Sequence, residues 1–152
     1  MATFEGETVF NILHDYFGPF TPADAFSLVT TVADENYVSI PAKWMRDIIL
    51  NDPILAPERY RQDIFDCDDY AMFVKTKLSL FAANSEKFIV PIAAGFLLTR
   101  AHAFNFGITN EKSLFLINPQ SSKVDMVINP SRHDCANFLN ITESNRIKFI
   151  YI

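Results

Sequence analysis

Residues 66–82 read DCDDYAMFVKTKLSLFA, and this stretch decides the fold. Ala71, Val74, Leu78 and Phe81 recur at three- and four-residue spacing, which predicts a helix with one face packed into a core. Asp66 is placed to cap the first turn, and Asp69, three residues on, completes an acidic variant of the capping box. Cys67 then falls in that first turn, where backbone N–H groups are unpaired and the helix dipole is positive. Both influences favour thiolate over thiol and suit a nucleophile. The carboxylates of Asp66, Asp68 and Asp69 act the other way, because nearby negative charge raises a cysteine pKa.

Upstream of this helix the chain reads mostly helical. Residues 7–17 place Val9, Phe10, Leu13, Tyr16 and Phe17 on one face, and Gly18-Pro19 stops the run. Thr21-Pro22 opens a second helix that continues through 23–32. Residues 37–40 are short and extended. Residues 41–50 form a third helix with Trp44, Ile48 and Ile49 inward, ended by Asn51-Asp52-Pro53, and 53–62 is loop. Downstream the pattern changes to strands at 88–98, 102–108, 113–117, 124–128 and 147–152, the last apolar on both faces and so interior to its sheet. Asn110 suits the turn between the second and third of these, because it tolerates positive φ. Helices first and a strand meander second predict one α+β domain over residues 1–152, with the Cys67 helix packed on an antiparallel sheet.

Composition narrows the function classes. The chain has 152 residues, enough for one core, and 49% of them are hydrophobic, 15 being Phe. That excludes disorder. A net charge of −5 provides no electrostatic footprint for nucleic-acid phosphates. The longest apolar stretch, 88–98, contains Pro91 and Gly95 and is too short to span a bilayer, so no membrane partner is expected. The N-terminal MATFEGETVF lacks a basic segment followed by an apolar one, and two cysteines are too few for a disulfide framework. A cytoplasmic protein with reduced thiols is the expectation.

His102 leads an alternating strand, and histidine is the natural base for a cysteine nucleophile. Asn118 follows sixteen residues later at the end of the next strand, where a hairpin returns the chain beside its start. An amide there can accept from the imidazole and fix its tautomer. Gln120 and Gln62 are candidate oxyanion donors. His14 and His133 read as surface residues, and Cys135 lies in a polar stretch. The acidic cluster of Asp63, Asp66, Asp68 and Asp69 offers oxygen ligands to a hard cation.

The segment YRQDIFDCDDYA at 60–71, followed by HAFN at 102–105 and INPQ at 117–120, resembles the papain-like cysteine-protease domain of certain mushroom chimeric lectins and of related bacterial and phage proteins. More distantly it is similar to transglutaminase-like and bacterial cell-wall cysteine peptidases. The resemblance covers roughly residues 60–124. It implies a papain-like or transglutaminase-like fold, with Cys67 as nucleophile, His102 as base and residue 118 as the orienting group. This chain has Asn118 where that family's motif carries Glu, which removes a charge that would stabilise a thiolate–imidazolium pair. The resemblance also implies calcium dependence. The function so implied is a cysteine hydrolase acting on a peptide or amide bond of a protein or peptide substrate. The alternatives are a catalytically inactive module of the same fold that binds or inhibits a protein, and an acyl transferase of transglutaminase type.

Overall fold

The structure, a computed structural model, describes residues 1–152 except 56–58, 60, 63, 122 and 123. The chain opens with a short strand β1 (Thr3–Glu5) and helix α1 (Gly6–Phe17), whose Val9, Ile12, Leu13 and Phe17 are buried. A 3-10 turn (Gly18–Phe20) leads to α2 (Phe26–Val29), β2 (Thr30–Thr31) and β3 (Asn36–Val38). Then come α3 (Ala42–Asn51), a 3-10 turn (Pro53–Leu55) and α4 (Cys67–Ala83). Strands β4 (Ala94–Thr99), β5 (Ala103–Ile108), β6 (Leu114–Ile117) and β7 (Met126–Ile128) follow. Helix α5 (Arg132–Phe138) and β8 (Ile147–Tyr151) complete the chain.

Six strands form one sheet in the order β2-β8-β4-β5-β6-β7, and β1 pairs with β3 separately. Strand β2 runs parallel to β8, while the other four pairings are antiparallel. The sheet is therefore mixed, which corrects the expected antiparallel sheet. The parallel contact arises because the chain crosses from the N-terminal helices to the outer side of the last strand. Strand β8 is interior, between β2 and β4.

Both faces of the sheet are covered. On one, Leu97, Phe104, Phe106, Ile108, Leu114 and Leu116 share a core with α1 residues and with Cys135 and Leu139. On the other, Ala94, Phe115 and Ile117 pack with Met45 and Ile49 of α3 and with Val74 and Leu78 of α4. Double coverage explains why every residue of β5 is buried, as expected of a strand with helices on both sides. The N-terminal half is not simply helical: 23–32 yields only the four residues of α2 before turning into β2, and Asp24 takes a positive φ of 57°. Ile49 is buried as expected, whereas Trp44, also expected inward, is 41% exposed, because α3 turns Met45 to the core in its place.

Leu78 sits 1% exposed in the α4 core. Replacing it with alanine leaves a cavity between α4 and the sheet, and a loss of about 3 kcal/mol is expected in urea unfolding.

Candidate functional site

Helix α4 begins where the sequence places it. Asp66 is the N-cap, and its backbone N–H donates to the Asp69 carboxylate at 3.3 Å. The remainder of the helix start is fixed by packing: the Phe65 ring lies 4.6 Å from that of Tyr70, which is wholly buried. Cys67, the first helical residue, is half-buried and packs with Ala71, Phe96 and Ala103. The backbone N–H of Ala103 donates to its sulfur. Ala103 directly follows His102, so the thiol meets the very start of β5.

His102 is half-buried, its ring edge-on to Phe104 at 4.7 Å. Its Nε2 lies 3.1 Å from Oδ1 of Asn118. That oxygen also accepts from the backbone N–H of Gln120 at 3.2 Å. A carbonyl oxygen only accepts, so the proton of a neutral His102 resides on Nε2 and its Nδ1 carries the free lone pair. Strand register delivers Asn118 to this place: Asn105 of β5 faces Ile117 of β6, and the next residue along β6 lies across from the start of β5. The backbone N–H of Asn118 is held by Asp125 at 2.9 Å.

The thiol is not activated by its surroundings in the way the helix start alone suggests. Burial pushes the Cys67 pKa up, and the carboxylates of Asp66 and Asp68 add to this. The N–H donors of Ala103 and Asp68 pull the other way and do not prevail. A hydrogen bond to Asp66, followed by desolvation, raises the Asp68 carboxyl.

Asp66, Cys67 and Asp68 present ligand atoms within 4.8 Å of one another. Two carboxylates and a thiol fall short of the six to eight oxygens that calcium takes, and Asp69 is already bonded to the helix start. Asp63 lies outside the described residues. Gln120 contributes its backbone N–H to the cluster. Gln62 is exposed in the turn closed by the Arg61–Phe65 bridge. Two contributors went unread in the sequence: the Ala103 N–H, and Asn105, buried beneath α4. An amide inside an otherwise apolar strand was the available sign of the second.

No family model and no curated protein matches the chain. Among solved structures it resembles PSL1a in complex with E64, with a TM-score of 0.71 and 18% identity over 99% of this chain and 51% of that one. It also resembles the Polyporus squamosus lectin bound to a human-type influenza-binding epitope, Neu5Aca2-6Galb1-4GlcNAc, with a TM-score of 0.67 and 18% identity over 99% of this chain and 49% of that one. The chain thus spans about half the length of these structures, and at this identity the likeness concerns the fold alone. The proteins found are named as a lectin, and neither is named as a papain-like or transglutaminase-like peptidase. This, with the mixed six-stranded sheet, corrects the expected papain-like or transglutaminase-like α+β fold class and family and, with them, the cysteine-hydrolase, transglutaminase and inactive papain-like readings.

Proposed function

We propose that this chain is a ligand-binding portion of a lectin-like protein, and that its ligand seats against Cys67, His102 and Asn118 beside a thiol able to bond to it. The observations that support this reading are two contacts made at adjacent residues: Cys67 packs on Ala103, whose N–H faces the thiol, and His102 Nε2 lies 3.1 Å from Asn118 Oδ1. Asn118 orients the imidazole so that Nδ1 is the free base. With a ligand whose electrophilic carbon bears an oxygen leaving group, the thiol proton would pass to the imidazole, sulfur would form the C–S bond as the C–O bond breaks with its electron pair on oxygen, and the imidazolium would return the proton to that oxygen. The neighbour complexed with E64 supplies the first probe for such a ligand.

The test is labelling with E64 and with iodoacetamide, mapped by mass spectrometry across pH. Cys67 is expected to label ahead of Cys135, with a rate that climbs as pH rises through its elevated pKa. Cys67→Ser should abolish the adduct, and His102→Ala should slow it by roughly 10²-fold or more if the imidazole acts as base. Labelling that goes first to Cys135 in the folded protein would remove Cys67 from the site.

A second reading rests on the neighbour bound to a sialylated trisaccharide: a glycan is then the ligand, held without covalent chemistry. Titration with that trisaccharide separates the two readings. Binding that is retained in Cys67→Ser supports a thiol-independent glycan seat, and no binding leaves the thiol reading alone.

A further inference from the structure

Beneath the first turns of α4 lies Asn105, in the middle of β5 and wholly buried. Its Nδ2 donates to the carbonyl of Ala71 at 2.9 Å and to that of Gly95 at 3.2 Å. Its Oδ1 is buried and has no hydrogen-bond partner among the described residues. A buried acceptor left unpaired is a standing cost to the fold. An apolar side chain of the same shape would avoid that cost, so packing alone does not account for an amide here. What the amide does achieve is a tie. Ala71 lies one helical turn beyond Cys67, and Gly95 belongs to the neighbouring strand β4. One side chain thereby clamps the start of α4 to β4 and β5 together.

The surrounding residues suit such a clamp. Ala103 and Gly107, which flank Asn105 on the same face of β5, are small, and so is Ala71 above them. A Cβ on Gly107 would come within 2.3 Å of the Phe115 ring and 3.0 Å of Ile40, so this face is closely packed already. The helix approaches near enough for an amide to reach its backbone. At the other end of the same contact, the Ala103 N–H meets the Cys67 sulfur. A helix start that drifts from β5 loses that donor.

We infer that Asn105 is a positioning residue for Cys67: its two donors fix the helix start against β5, so that the thiol stays on the Ala103 N–H next to His102. The inference rests on the proposal that Cys67 is the reacting atom, and its test keeps the two apart. Asn105→Leu removes both donors while keeping the branched shape, and Asn105→Ser keeps one short donor. The readout is the pH profile of iodoacetamide labelling at Cys67, with Cys135 as internal reference and thermal unfolding alongside. In Asn105→Leu the Cys67 profile should move up by about one pH unit and its rate near neutrality should fall about tenfold. Asn105→Ser should fall between this and the wild type, and Cys135 should not change. Should the leucine variant fail to fold, the serine variant decides by the same shift. Cys67 profiles that superimpose on the wild type in the folded variants, whatever their melting temperature, would overturn the inference and leave the thiol reading standing. A wild-type protein in which Cys67 does not label ahead of Cys135 would overturn both.

Discussion

Gly95→Ala is expected to destabilise the protein by on the order of 4 kcal/mol, or to prevent folding, although it adds a single methyl group. A Cβ at residue 95 would lie 2.0 Å from the backbone oxygen of Tyr151 and 2.9 Å from its carbonyl carbon, with the tip of the Phe106 ring at 2.8 Å. The φ of Gly95 is not positive, so the need is for closeness rather than for a left-handed backbone. Strand β4 lies between β8 and β5, and Phe96 is registered with Tyr151. Relief would require moving one central strand against another, and both carry core residues. Gly107 is the built-in control. Its Cβ would meet the Phe115 ring and a methyl of Ile40, ends of side chains that can rotate away. Gly107→Ala should therefore cost less, about 1–3 kcal/mol. Urea midpoints of the two variants measure the difference; equal losses would show that β4 and β8 accommodate the methyl.

Those two glycines illustrate what the sequence conceals. Their strands are legible from composition, but the approach of Tyr151 to Gly95 joins residues far apart in the chain. Local features were readable. The Asp66–Asp69 box opens α4 as its spacing indicates, and α1 follows its apolar face. The same box recurs as Ser131–Asp134, where the Asp134 N–H donates to Ser131 Oγ at 3.1 Å and opens α5. It was missed because 130–137 is otherwise polar. Periodicity also misled over the aromatics: Phe81 is 45% exposed and meets Trp44 edge-on at 6.2 Å, so the two cover each other outside the core. The predicted strand at 88–98 starts only at Ala94, beyond Pro91, which has no N–H for a ladder. At the site, the order of Cys67, His102 and Asn118 was readable because each sits at the end of a local element. The hydrolase reading was not secure on that order, since the thiol's protonation depends on burial that only the packed helix reveals. The Ala103 and Asn105 contacts depend on α4 lying over β5, and no local pattern records that.

The other large effect concerns the second cysteine and appears at high pH. Cys135 is wholly buried in the core shared by α1, α5 and the sheet, and burial, then the charge of Asp134, pushes its pKa up from 9.0 to about 12. In the unfolded chain the thiol ionises near its ordinary value, while in the folded chain it stays neutral. The folded state therefore binds the proton more tightly, and stability falls wherever the unfolded state has released it. The contribution is intact below about pH 9, diminishes as pH rises, and is gone above about pH 12. The interval corresponds to about 4 kcal/mol. The phenol of Tyr37, donating to the backbone oxygen of Ile152, is also raised by burial and acts in the same direction. Cys135→Ala isolates the thiol. The variant should begin somewhat less stable at neutral pH, because it loses packing, and should lose much less stability between pH 9 and 12 than the wild type does. Urea unfolding of both proteins at intervals over that range gives the two slopes. Parallel slopes would mean that the thiol ionises in place, with water reaching Cys135 inside the folded core.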